Sequence, residues 1–428
     1  MSRQHDPPPS FTVDPQTPSR RVRHQSSLEH VFNFTLASPK PTREQSTDAY
    51  ALYNEILNDC EEAGLFLPSG DDADGGEKVY LHNLFRALVC FCPTHPGRIN
   101  IVRMILHGLF CADKVSIEER SLGSILPLAR TWRTATEHER QPIYRILETV
   151  AADFLLGFFV PLCAQASATL HVSGILSPPT AAATISPSQG TPHRLQGLQR
   201  TCLLRDGNRC VVTGHLDKEV FNRLQRRGQT IPGTFGVQTQ AAHIIPHSLN
   251  SVRAGDALTR GKTFVWQILN MFDSGISTEL EGPLIDSPAN AFILATELHD
   301  EFGRLRCYFE EVVPGSYEFR KTRFATTLSP AADAKASRLT FVNHEPEETR
   351  WADLPSSRLL KLHAACCKMV EMAGAADYVD WAVGDLKRME EGGTLAADGT
   401  SDVGMLLLTR GLAGWGGCVD GAWSDVGA

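Results

Sequence analysis

The chain has 428 residues, 42 % of them hydrophobic, and a formal net charge of -8. That length gives room for two or three domains and a sizeable core, so the chain is expected to be globular for most of its length. The acidic balance excludes a protein that gathers nucleic acid by overall charge alone.

The charge is unevenly spread. Residues 190–325 carry 16 Lys and Arg against 14 Asp and Glu, so the least acidic part of the chain lies there. The 11 cysteines show no paired framework spacing, and Met1 to Pro18 is polar and proline-rich where a secretory signal would carry an apolar run. An intracellular, reducing location is expected, with nucleus and cytoplasm both open. The longest apolar stretch, Phe154 to Cys163, falls short of the ~20 residues of a membrane span, so no membrane association is expected.

In chain order, residues 1–45 lack hydrophobic periodicity and are rich in Pro, Ser, Thr, Gln and Arg, which reads as a disordered tail. Residues 46–168 read as a helical amino-terminal domain. Tyr50, Tyr53, Ile56 and Leu57 share one helical face, and Leu147, Val150, Ala151, Phe154, Leu155, Phe158, Phe159 and Leu162 repeat the pattern. Residues 169–192 have the composition of a Pro/Ser/Thr linker, which would let the next part move independently.

Residues 193–325 have mixed texture. Cys210 to Thr213 reads as a short strand closed by Gly214, and Ala241 to Ile245 as another, with Pro246 barring a helix there. Leu294, Leu298 and Phe302 stand at i, i+4 and i+8, which places His299 on a short helix ended by Gly303. Leu305, Cys307 and Phe309 alternate with polar or half-polar residues, as in a strand with one buried face. Residues 326–390 read as a carboxy-terminal helical extension carrying Leu359, Leu362, Cys366, Val370 and Ala373 at helical spacing. On that helix Cys366 and Cys367 point apart, one expected in the core and one at the surface. Residues 391–428 form a Gly-rich tail.

The chemistry concentrates in Ala242-His-Ile-Ile-Pro-His-Ser-Leu249, Asn290-Ala-Phe-Ile-Leu294 and His299-Asp-Glu-Phe-Gly303. Any one of these is more often structural: a satisfied histidine, an Asn cap, a helix-face histidine. In that order, and with Leu204-Arg-Asp-Gly-Asn-Arg-Cys-Val-Val-Thr-Gly214 leading in, they resemble the HNH (ββα-metal) endonuclease superfamily, specifically fungal proteins with a divergent HNH domain. The resemblance extends through Ala152 to Leu162, Arg358 to His363 and Ala375 to Tyr378, covering roughly half the chain.

The resemblance implies an α+β protein: a ββα-metal module with flanking helical segments and disordered termini. It also implies an endonuclease that uses one divalent ion, magnesium, manganese or zinc, to cut nucleic-acid backbone, DNA being the expected form. Phosphodiester hydrolysis needs a base near neutral pKa, a cation and something that orients the base. His243 is the candidate general base and His299 the candidate metal ligand. Asn290 would either hold the base's ring or coordinate the ion. Arg223, Arg226 and Arg227 form the densest basic cluster and the candidate nucleic-acid contact, with a solvated helix face as the plain alternative.

Three departures from the family pattern shape the expectations. Ala242 stands where many members carry a second metal ligand, with Asn290, Asp273 or Asp300 as substitutes near in sequence. Thr213 stands where a second zinc-binding cysteine would follow Cys210, so no structural zinc is expected. The 47 residues from His243 to Asn290 exceed a tight turn, so an inserted helix is expected around Phe264 to Phe272. His247 is expected to be a secondary groove residue, because Pro246 breaks the helical register it would need to act with His243. The alternative function is an inactive HNH-derived binding or interaction scaffold, motivated by Ala242. The amino-terminal helices are candidates for a protein partner or self-association.

Overall fold

The computed structural model describes residues 40–67, 78–110, 121–168, 191–229, 235–250, 260–326, 338–344 and 352–391. Most of the expected tails and linker, at 1–39, 169–190 and 392–428, lie outside the described residues. The protein is α+β: among the described residues, helices are combined with four two-stranded ribbons.

Helix α1 (Arg43–Glu62) begins inside the span expected to be tail, because Thr42 and Gln45 form a reciprocal capping box. Its Leu52, Tyr53, Ile56, Leu57 and Cys60 face the core. A short antiparallel ribbon, β1 (Phe66–Leu67) with β2 (Val79–Tyr80), leads into α2 (Leu81–Phe91), α3 (His95–Phe110) and α4 (Leu122–Ala129). Helix α5 (Glu137–Phe154) continues through a π turn at Leu155–Phe159 into α6 (Val160–Ala168). By length and composition the run Glu137–Ala164 could cross a membrane, yet 67 % of its most apolar window is buried inside the protein. It is a core helix, and Phe158 stacks edge-on against Phe272 far along the chain, centroids 5.5 Å apart.

Helix α7 (Thr191–Arg205) starts two residues inside the span read as linker. Cys210 to Thr213 is a turn where a strand was expected: the Gly214 amide bonds the Cys210 carbonyl, and Gly214 takes the left-handed φ of 72° that closes it. The strand follows as β3 (Leu216–Asp217), parallel to β4 (Gly236–Val237), with α8 (Lys218–Arg226) between them. Strands β5 (Thr239–His243) and β6 (Ala291–Ala295) pair antiparallel in the register Thr239↔Ala295 to His243↔Ala291. Between them lie the expected insert helix, α9 (Arg260–Phe272), and the short α10 (Ile276–Glu279). Leu294 belongs to β6 and not to the helix it was grouped with; α11 (Thr296–Gly303) starts after it and carries His299. The antiparallel ribbon of β7 (Cys307–Val313) and β8 (Ser316–Lys321) follows, then α12 (Ser357–Ala373) and α13 (Ala376–Glu391).

The β5–β6 pair is buried on both faces. Ala242, Phe292 and Leu294 enter the main core, while Ala241, Ala291 and Ile293 pack on Leu198 and Cys202 of α7. Double burial explains why β6 reads as an unbroken apolar run without alternation.

The two halves of the chain share one core, contrary to the independent movement expected across the linker. Helix α3 packs on α9, α6 on α11 and α13, and α2 on α12. The Thr94 hydroxyl donates to the Phe272 carbonyl at 2.6 Å, and a Cβ on Gly97 would collide with that oxygen. Because α12 lies between α2 and β7, both Cys366 and Cys367 are buried, not one inside and one out.

Candidate active site

His243 ends strand β5, where Thr239, Ala241 and His243 share a face by strand alternation. Pro246 stops the strand, and the chain folds back into a 3-10 turn at His247–Asn250. The two imidazoles are thereby brought to 5.9 Å between ring centres. Another 3-10 turn, Gly282–Asp286, delivers Asp286 to them. Its Oδ1 lies 3.2 Å from His243 Nε2 and 2.6 Å from His247 Nδ1. Its Oδ2 accepts from Arg194 Nε at 3.1 Å.

Among the described residues, His243, His247 and Asp286 form a group of His, Cys, Asp or Glu whose ligand atoms could share one ion, all within 4.8 Å of one another. Imidazole and carboxylate donors at ~2.0–2.2 Å from a zinc-like ion stand about 3–3.5 Å apart. The His243 to Asp286 spacing is already in that range, and His247 would need to withdraw by less than about 1 Å. Two nitrogens and one carboxylate oxygen suit a divalent transition ion.

The electrostatics follow from burial. Burial raises the Asp286 carboxyl, but the hydrogen bonds from His243 and His247 outweigh it and hold the group well below the usual carboxylate range. Burial pushes His243 down, with Asp286 opposing and His247 adding to the shift. His299 is pushed down to about 4, by burial first and then by the charge of His243; Asp300 and a hydrogen bond to the Ala241 backbone oppose. Both His243 Nδ1 and His299 Nδ1 are buried atoms without a hydrogen-bond partner.

Of the residues singled out in the sequence, His243 stands in this group and His299 beside it, coupled to His243 electrostatically but outside the three converging donors. Asn290 differs from its expected role. Its Oδ1 accepts from the Ile245 amide at 2.9 Å, and its Nδ2 donates to the carbonyls of Ile245 at 2.9 Å and Ile285 at 2.8 Å. No His ring is among these partners, and the side chain is fully buried. Its carboxamide clamps the exit of β5 to the turn that carries Asp286, so it orders backbone rather than a ring or an ion.

Arg223, Arg226 and Arg227 are exposed on and just after α8. Asp217 caps that helix and also accepts from the Thr239 hydroxyl at 2.7 Å, which ties α8 to the start of β5. His243 is at the strand's other end, about 14 Å away at ~3.4 Å per residue. Among the described residues no hydrogen bond or ion pair joins these arginines to His243, His247 or His299.

Asp286 and the participation of His247 were missed in the sequence. Of the substitutes named for a second ligand, Asp273 pairs with Arg358 and Asp300 with Arg304, which leaves them engaged elsewhere. Ala242 is 1 % exposed in the main core, on the strand face opposite His243. The acid of this site comes from His243's own side instead.

Residues 210–310 match the family model described as HNH endonuclease. The matched segment spans His243, His247, Asp286, Asn290 and His299. No curated protein and no solved structure matches the chain.

Proposed function

From a chain that carries an HNH-superfamily domain over residues 210–310, we propose a nuclease that hydrolyses phosphodiester bonds of nucleic acid, DNA being the expected substrate, with the help of a divalent ion. The observation that carries the reading is the state of His243. Its Nε2 is tethered to Asp286 at 3.2 Å, while its Nδ1 has no partner.

A neutral imidazole that donates Nε2–H to a carboxylate keeps a lone pair on Nδ1. Burial keeps the ring uncharged at neutral pH, and Asp286 both turns the ring and would stabilise the imidazolium once Nδ1 takes a proton. His243 is therefore the general base in this reading, with the proton of the attacking water going to Nδ1. His247 Nδ1 and Asp286 Oδ1 would hold the ion. When bound, the ion would stabilise negative charge on the phosphoryl and leaving oxygens. Two protein donors suit magnesium or manganese, which keep waters and take further ligands from phosphate oxygens. His299, with its partnerless buried Nδ1, remains the further donor expected from the sequence. The exposed Arg223, Arg226 and Arg227 would meet backbone phosphates away from the cut.

A second reading is favoured by the convergence of three ligand atoms: His243 Nε2 joins His247 and Asp286 on the ion. The two readings exclude each other, since a neutral ring that ligates through Nε2 carries its proton on Nδ1 and cannot act there as base. Calorimetric titration of manganese into His243→Ala, His247→Ala and His299→Ala separates them. Retained affinity in His243→Ala, with cleavage abolished, fits the base. Loss of both in that variant fits the ligand. Wild type that takes up no ion and cuts nothing returns the scaffold alternative.

A further inference from the structure

Helix α7 lies ahead of the segment that matches the HNH model, yet one face of it backs the candidate site. Arg194, Leu198, Cys202 and Arg205 fall at i, i+4, i+8 and i+11, which is one stripe of an α-helix. The middle of the stripe packs Leu198 and Cys202 under Ala241, Ala291 and Ile293. At its carboxy-terminal end Arg205 donates to the carbonyls of Pro288 and Ala291, either side of Asn290. At its amino-terminal end Arg194 Nε reaches Asp286 Oδ2 at 3.1 Å.

We propose that Arg194 is a positioning residue of the active site, fixing the plane of the Asp286 carboxylate so that Oδ1 alone faces His243 and His247. The inference rests on the reading in which Asp286 holds an ion. Rotation of an aspartate carboxylate about its last bond is soft and roughly two-fold. An anchor on Oδ2 removes that freedom, and a charge-assisted bond from a planar guanidinium is strong and directional. The Asp286 side chain is 3 % exposed against 23 % for Arg194, so the arginine places a cation directly against a buried carboxylate. Partners one layer out from a ligand typically change ion affinity by 10–100-fold.

The test uses full-length protein: wild type, Arg194→Ala, Arg194→Gln and, as a control on the exposed side of the same helix, Arg200→Ala. Each is titrated with manganese by calorimetry, melted without metal, and assayed for plasmid cleavage. The expected result is manganese affinity weakened about 10-fold or more in both Arg194 variants, with kcat lowered, KM for DNA little changed, and Arg200→Ala like wild type. Wild-type manganese affinity in Arg194→Ala overturns the inference; where that variant does not fold, wild-type affinity in Arg194→Gln does so. A raised KM for DNA with unchanged manganese affinity also overturns it, since the arginine would then touch substrate directly. Wild type that neither binds manganese nor cuts overturns the nuclease reading beneath it, a result distinct from any change confined to the Arg194 variants.

Discussion

His243 and Asp286, 43 residues apart, meet at 3.2 Å because strand β5 and a 3-10 turn end at the same place. The carboxylate has three nitrogen partners: two imidazoles on Oδ1 and a guanidinium on Oδ2. Asp286→Asn keeps the shape but removes the charge and turns one acceptor into a donor facing another donor. Manganese affinity should fall by 10-fold or more and cleavage by about 100-fold or more. Calorimetry and plasmid nicking check both, and unchanged values would remove Asp286 from the site.

Arg205 is fully buried and uses every donor of its guanidinium. Nε and one terminal nitrogen clasp Asp206, and the terminal nitrogens also reach the carbonyls of Pro288, Ala291 and Asp353. Removing one member of a buried pair leaves an uncompensated charge, so Arg205→Ala should cost about 3–5 kcal/mol. Chemical denaturation would show it. A loss under about 1 kcal/mol would mean that this clasp does not hold the start of β6 and the Asp353 backbone in place.

Gly97 allows α3 to touch the carbonyl that ends α9. Gly97→Ala must push the two elements apart, and overpacking of this kind costs about 1–3 kcal/mol. If the amino-terminal helices and the HNH segment are one cooperative core, the variant lowers a single melting transition. Two separate transitions, only one of them shifted, would show that the halves unfold independently.

The ordered triplet His243, Asn290 and His299 was legible because each sits at the end of a strand or on a helix that local pattern already marks. Asp286 was not, because a 3-10 turn near the end of the long insert delivers it, and no periodicity points to such a turn. His247 was discounted because a helix is impossible across Pro246; the strand, proline and turn reach the same convergence by another route. Asn290 was read as chemistry when its carboxamide organises backbone, a distinction that depends on which groups surround it. The helices at α1, α5 and α12 were legible from their apolar faces. Their packing against the HNH segment was not, since a face shows that it is buried and not against what.

His363 gives the stability a pH dependence of known sign. Its ring stacks on Phe302 at 3.7 Å between centres, and its Nε2 lies 3.1 Å from the Phe302 carbonyl. Burial pushes it down to about 4, with that carbonyl opposing. The folded state resists a proton that the unfolded chain accepts near 6.5, so the unfolded state binds more protons between the two values. Stability is complete above about 6.5 and is lost as pH falls toward 4, by about 1.4 kcal/mol per pH unit from this ring. His363→Gln should flatten the fall in denaturation midpoint over that window by one proton's worth. An unchanged slope would assign the acid sensitivity elsewhere.

Whether His243 is the base of a metal-dependent nuclease is tested by plasmid cleavage with wild type and His243→Ala side by side, with manganese or magnesium and then with chelator. Wild type should cut only with the ion and stop with chelator, and cutting should disappear in His243→Ala while the variant melts as a folded protein. Cutting by His243→Ala at the wild-type rate would contradict His243 as the base.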